Sequence, residues 1–323
     1  MMPVERPSSW LFSRRTDFWL ACGGASIALL APLLLIALQG DRELLALDFV
    51  LSELHLGATY GTIVRRRLWR DRSIGVLGVP AVILVATYVL STGGHALALT
   101  TVAMYAAVWH RGRQSLGVAR FYQRALGGPA SRAHQILFRG AIYAPMAAAG
   151  LVYTHLAPTD YEGDPYVGLD LGAGLASAAG LVALVWVIAY LAWTLGRGDE
   201  QGASVTAGGA VGRVHPGEWW VVVAHAVAFG SAYGLGAANV SFMLVLAVHH
   251  EVQYLAFTYA MARREEVRGI GPLSYLLWPG LGLAGAVAGG WLELPWLAPL
   301  GIGGLFCHYW LDGRIWTRPA TSR

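Results

Sequence analysis

Residues 239–261 read NVSFMLVLAVHHEVQYLAFTYAM. A bilayer core is crossed by roughly 20 mostly apolar residues in a helix. This block has that length, no arginine and a single carboxylate, Glu251. It also carries an adjacent histidine pair at its centre, so a membrane helix is predicted here, and one with a job. The same length test over the rest of the chain gives nine more blocks: 17–38, 45–65, 75–92, 95–111, 136–156, 170–196, 217–237, 272–290 and 293–312.

Composition agrees with that reading. The 323 residues are 56% apolar and 13% charged, with mean hydropathy +0.50. A soluble domain carries about a quarter charged residues. Every one of the 23 basic residues is arginine, and net charge is +4. No basic groove with interleaved aromatics accompanies that charge, which argues against nucleic acid. Cys22 and Cys307 each lie inside an apolar block and read as small core residues. Glycine-rich stretches at 172–180 and 282–290 read as close helix packing.

Arginine collects in cytoplasmic loops, so its distribution tests the span count. With ten spans, Arg6, Arg14 and Arg15 fall on one side. So do Arg65, Arg66, Arg67, Arg70 and Arg72, then Arg111, Arg113, Arg120, Arg124, Arg132 and Arg139. Arg197, Arg213, Arg263, Arg264 and Arg268 join them, as do Arg314, Arg318 and Arg323. Only Arg42 falls opposite, beside Asp41 and Glu43, and the other outer segments hold Asp160, Glu162, Asp164 and Asp170. The expected architecture is therefore an all-α, polytopic bundle of about ten transmembrane helices. It forms one transmembrane domain over 1–323, retains its first span, has both termini cytoplasmic, and sits in a bacterial-type inner membrane. No segment between spans exceeds about 25 residues, so the chemistry is expected within the bilayer or at its edge.

Ionisable side chains inside a membrane are costly and face the bundle interior. His55, His225, His249, His250 and His308 fall in one layer of depth roughly 8 Å thick at 1.5 Å per residue, and His110 sits at the cytoplasmic end of its span. His308 and Asp312 are four apart, as are His249 and Gln253, His250 and Tyr254, and His110 and Gln114. Asp48 and His55 are seven apart, and so are Glu218 and His225. These spacings put each pair on one helix face, where a carboxylate or amide fixes an imidazole's tautomer as beside a metal ligand. The metal ligands expected are His55, His110, His225, His249, His250, His308 and Asp312. Glu53, Glu251 and Tyr254 are the candidate catalytic residues for proton transfer, with Tyr60 nearby. His95, His134, His155 and His215 fall near the surfaces and are expected to do nothing special. The two halves echo each other: His55 and His250 are 195 residues apart, His110 and His308 are 198 apart, as in a parallel internal repeat.

Many short-looped helices with histidines gathered towards the cytoplasmic half resemble the histidine-rich integral-membrane non-haem iron oxygenases. In layout the chain is most similar to the all-helical bacterial β-carotene-cleaving dioxygenase family. The resemblance is of architecture across most of the chain. The His-x-x-His-His boxes of membrane desaturases and hydroxylases are absent, and no catalytic residue is carried over. The resemblance implies non-haem iron, one or two ions, and an oxidoreductase that uses O₂ on a lipid-soluble substrate. Three other readings share these residues: a non-covalent haem b carrier, a proton-coupled transporter or relay, and a zinc hydrolase. The segment Arg111–Arg132 holds five arginines and no acid. It is expected either to lie at the headgroup level, apolar side in lipid, or to dock a soluble acidic electron donor at the cytoplasmic face.

Overall fold

The computed structural model describes residues 9–36, 44–71, 74–157, 159–161, 164–196, 214–264, 272–291 and 297–316. Arg6, Asp41, Arg42, Glu43, Arg72, Glu162, Arg197, Arg213, Arg268, Arg318 and Arg323 lie outside the described residues. Among the described residues the fold is all-helical apart from one two-residue β pairing, Asp160–Tyr161 against Asp164–Pro165.

Each of the ten predicted blocks coincides with a helical unit. The first is a bent pair, α1 (Arg14–Leu20) and α2 (Gly24–Ile36), then come α3 (Leu44–Arg65) and the short α4 (Leu68–Asp71). A π-turn at Ile74–Gly78 leads into α5 (Val79–Leu90), and a second at Ser91–His95 into α6 (Ala96–Ala125). Next are α7 (Arg132–Leu156), α8 (Ala173–Gly196) and α9 (Pro216–Leu235). The eighth unit runs from a 3-10 turn, Val240–Phe242, through α10 (Met243–Ala247), a π-turn at Val248–Val252 and α11 (Gln253–Arg264). The last two are α12 (Pro272–Trp291) and α13 (Leu297–Trp316).

Among the described residues four helices are long and apolar enough to cross a membrane, or five if the α1–α2 pair, bent by 50°, is one span. One of the four, Ile74–Ala125, is continuous over 52 residues. That is about 78 Å of helix, more than twice the thickness of a bilayer core. It divides at Gly94, whose φ of 88° and ψ of 11° a side chain would strain. On one side of that turn α5 packs against α13; on the other α6 packs against α7 and α9.

The opening stretch, 239–261, forms the centre. Its span Val240–Arg263 is 78% buried, against 17% for Ala173–Gly196. Around it stand α3, α6, α9 and α13, while α8 lies outermost and exposes Leu181, Leu184, Val185 and Ile188. Asp17 ties the first unit to this core, accepting from the backbone N–H of Leu11 (2.7 Å) and Phe12 (2.9 Å) and from Tyr122 Oη (2.8 Å). Cys22 and Cys307 are free and buried, as their apolar surroundings imply.

Two readings need correction. The segment Arg111–Arg132 does not turn its apolar side to lipid. α6 continues to Ala125, and Leu116, Val118 and Tyr122 are buried against Ala21, Val221 and Phe257. The break before α7 comes late because Ser131 caps it, its side chain accepting from His134 N at 3.0 Å. The glycines of 172–180 do not bring helices together either, since a Cβ at Gly172, Gly174 or Gly180 would meet nothing within 4 Å. Close approach occurs instead between α3 and α12. A Cβ at Gly57 would lie 2.5 Å from the Trp278 carbonyl oxygen, and one at Gly282 would lie 2.9 Å from that of Glu53. Backbone cannot swing aside as a side chain can. Gly57→Ala should therefore cost about 1–3 kcal/mol by overpacking and lower the thermal midpoint in detergent. Gly180→Ala should leave that midpoint unchanged or raise it.

Candidate metal centre

Four imidazoles converge from four separate units: His55 on α3, His110 on α6, His250 in the π-turn before α11, and His308 on α13. One ring nitrogen from each lies within 4.8 Å of the others, and all four residues are buried. The rings close a circuit. Centroids are 4.5 Å apart for His55–His308, 4.7 Å for His308–His110, 5.0 Å for His110–His250 and 4.7 Å for His250–His55. This four-histidine group could hold a metal ion.

The surrounding hydrogen bonds say which nitrogens face inward. Glu251 Oε2 lies 2.6 Å from His55 Nδ1, a contact without hydrogen-bond alignment. Thr59 Oγ1 lies 2.9 Å from His308 Nδ1 and 3.0 Å from Asp312 Oδ1. Its hydroxyl donates to the carboxylate and so accepts from His308 Nδ1–H. Tyr254 Oη also donates to Asp312 Oδ1, at 2.6 Å. His308 Nε2 is thereby left as a bare lone pair, 2.8 Å from His55 Nε2 and 3.1 Å from His110 Nε2. A lone pair so placed accepts a proton from one of these neighbours or shares a cation with both. At metal–nitrogen bonds of about 2.0–2.1 Å, neighbouring ligand atoms are separated by roughly 2.9 Å at a right angle and 3.3 Å at a tetrahedral one. His55 Nδ1, His250 Nδ1 and Asp312 Oδ2 are buried without a hydrogen bond, and Asp312 Oδ2 is 3.5 Å from His110 Nε2. An unmet buried acceptor costs about 1–3 kcal/mol, which a bound cation would offset.

His250 and Glu251 both lie in the π-turn Val248–Val252. Regular α-helix would point His250 and Glu251 about 100° apart. In the wider turn both reach α3: the ring of His250 is 4.7 Å from that of His55, and Glu251 is on its Nδ1. Tyr254 follows, 4.0 Å from the same ring. Single π-turns of this kind recur at functional sites.

Of the sequence-predicted residues, His55, His110, His250, His308 and Asp312 come together, with Glu251 and Tyr254 on their outer side. His225 and His249, also expected as ligands, lie outside this four-histidine group. His249 turns away from the group, with Nε2 3.0 Å from Ser115 Oγ and Nδ1 against Gly23, where a Cβ would sit 2.5 Å away. His225 donates from Nε2 to the Ile142 carbonyl at 3.0 Å, and its ring is 6.3 Å from that of His249. Glu53 is half-buried on α3, near the charge of Glu251. It makes no hydrogen bond to the four imidazoles among the described residues.

Two features escaped sequence reasoning. Thr59 was one, although its signal was present: each of the four histidines is followed four residues on by a buried polar side chain, Thr59, Gln114, Tyr254 or Asp312. Gln114 completes the set, donating from Nε2 to the His250 carbonyl at 2.7 Å. The other was His134. Its Nε2 is 2.7 Å from Glu218 Oε1, which also accepts from Tyr190 Oη (3.0 Å) and Gln123 Nε2 (3.1 Å). Glu218 thus serves His134 and not His225. His215, also buried, caps α9 by accepting from Gly217 N at 2.9 Å. His155 pairs with Asp170 at 2.9 Å on the surface, and His95 is exposed.

A cavity of about 320 Å³ lies between α7, α8 and α9, lined by Ala149, Gly180, Leu184, Phe229, Gly230 and Tyr233 among others. Its wall residue Phe229 packs on His225, ring centroids 4.3 Å apart. Comparison with sequence families, with curated proteins and with solved structures gives no match. What defines the class is the site itself: a buried four-imidazole group inside an all-helical, membrane-type bundle.

Proposed function

We propose that the protein is a membrane-embedded, metal-dependent oxidoreductase, of the non-haem iron type, that uses O₂ on a lipid-soluble substrate. The observation that carries this reading is the convergence of one ring nitrogen from each of His55, His110, His250 and His308 within 4.8 Å, with His308 oriented from behind by Thr59 and Asp312. Iron accepts imidazole and carboxylate oxygen together, and Asp312 Oδ2 supplies the oxygen. The resemblance to the β-carotene-cleaving dioxygenases supports the same assignment. An apolar bundle with a lateral apolar cavity suits a substrate that partitions into lipid. Bound iron would activate O₂; Glu251, 2.6 Å from His55 Nδ1, and Tyr254, bonded to Asp312 Oδ1, would hold or move protons at those atoms. The four-ring circuit favours a bare ion over haem b, because ring nitrogens 2.8 and 3.1 Å apart leave no room for a porphyrin between them.

The test is elemental analysis of the purified protein with O₂ consumption. About one iron per chain, and O₂ uptake on adding a carotenoid, acyl lipid or quinone, are expected. Iron-free protein that consumes no O₂ contradicts the reading. The hydrogen-bonded run His308–Thr59–Asp312–Tyr254 favours one second reading, a proton relay, and metal-free protein that moves protons across vesicles would establish it.

In the proposed topology both termini and the arginine-rich loops are cytoplasmic, in an inner membrane. Reporter fusions after Arg72 and Arg268 should read cytoplasmic and one near Asp164 external. A cytoplasmic Asp164 contradicts the ten-span orientation.

A further inference from the structure

The arginines of α6 and α7 form a patch that the histidine group leaves unused. Arg113, Arg120 and Arg124 stand seven and four residues apart and share one face of α6. α7 returns alongside, and Arg120 lies close enough to Arg113, Arg124 and Arg139 to be repelled by all three. Among the described residues no carboxylate pairs with any of these four. Arg113, Arg124 and Arg139 are exposed, and Arg120 is half-buried.

One turn below the patch is an aromatic pair. Trp109 and Tyr143 stack 5.8 Å apart at 14°, the Arg113 guanidinium lies 5.7 Å over the Trp109 ring, and it donates to Tyr143 Oη at 3.1 Å. Exposed Trp and Tyr on membrane helices mark the headgroup level, and Trp109 is 52% exposed. Arg113 and Arg139 are each four residues beyond their aromatic partner, about 6 Å along the helix, at the depth of lipid phosphates. Ile136, one turn from Arg139 and also 52% exposed, continues the apolar surface upward. A soluble partner would leave that surface in water.

We propose that Arg113, Arg120 and Arg139 bind the phosphate of an anionic phospholipid in the groove between α6 and α7. Guanidinium groups grip phosphate oxygens in pairs, and basic pockets between membrane helices on the cytoplasmic side select anionic headgroups in this way. The inference rests on reading these helices as membrane spans.

Native mass spectrometry of the detergent-purified protein tests it, titrating phosphatidylglycerol against phosphatidylcholine. Wild type should retain phosphatidylglycerol at least about tenfold more tightly. Arg113→Gln, Arg120→Gln and Arg139→Gln together should abolish that preference, while the triple lysine variant keeps part of it. Unchanged helicity and elution would show that the triple glutamine variant is folded. Equal retention of the two lipids, or a preference untouched by the triple variant, overturns the proposal. So does displacement by millimolar inorganic phosphate, which assigns the patch to a free anion. Capture of an acidic soluble redox protein by wild type alone, without lipid preference, overturns it in favour of a docking surface. Protein that stays in solution without detergent overturns it together with the membrane reading, a result distinct from the others.

Discussion

His308→Ala should take the protein from about one metal ion per chain to nearly none. His308 Nε2 is the shared neighbour of the group, 2.8 Å from His55 and 3.1 Å from His110. Its loss removes one ligand of four and leaves Thr59 and Asp312 without the ring they orient. Changes to residues that only orient a ligand typically cost 10–100-fold in metal affinity, so a lost ligand should cost more than about a hundredfold. His55→Ala, His110→Ala and His250→Ala should behave alike, and any O₂ uptake should vanish with the metal. His249→Ala and His225→Ala are the discriminating controls. Both lie within one or two helices of the group, yet the first faces Ser115 and Gly23 and the second the Ile142 carbonyl. They should keep full metal content, though each loses a buried hydrogen bond and some stability. Metal lost equally from His249→Ala would show that depth and not the four-ring circuit defines the site.

Asp312→Asn should be the most damaging change outside the four imidazoles. Asp312 Oδ1 accepts from Tyr254 and Thr59, and Oδ2 faces His110 Nε2. An amide keeps the volume but can place an N–H against those donors, so the network loses its acceptor and Thr59 no longer holds His308 in one tautomer. Metal affinity should fall roughly 10–100-fold, read by competition with a chromogenic chelator. Thr59→Val should reproduce part of that loss while leaving Asp312 and its charge in place. If both variants bind metal as wild type does, the carboxylate acts in folding and not at the site.

The fold was readable because membrane spans announce themselves by length. Blocks such as 45–65 and 272–290 lie within a residue of α3 (Leu44–Arg65) and α12 (Pro272–Trp291). Hydropathy failed where a helix leaves the apolar region without ending. Arg111 and Arg113 close the block 95–111, but α6 runs on to Ala125, with Gln114, Ser115 and Tyr122 buried by neighbouring helices. That extension moved His110 from a helix end to mid-helix, and into the group.

Depth along the sequence gives a layer and says nothing of direction around the helix axis. His225, His249 and His250 share a layer; only the last points at His55. His249 and His250 lie in the same π-turn, Val248–Val252, and no periodicity in VHHEV reveals which of the two points inward. More informative was the pairing of His55 with His250 and His110 with His308 at nearly equal separations. Those four residues are the ones that converge, and Thr59 and Tyr254, then Gln114 and Asp312, repeat the same two separations one turn on. The His134–Glu218 contact was invisible because Ser131 starts α7 four residues ahead of its apolar block, which carries His134 into the bundle.

The claim that one ion is held jointly by His55, His110, His250 and His308 is tested most directly by X-ray absorption at the metal edge of the purified protein. The account predicts about four imidazole scatterers at roughly 2.0–2.2 Å, falling to three or to no bound metal in His250→Ala. A first shell with two imidazoles or fewer, or one unchanged by His250→Ala, would contradict it.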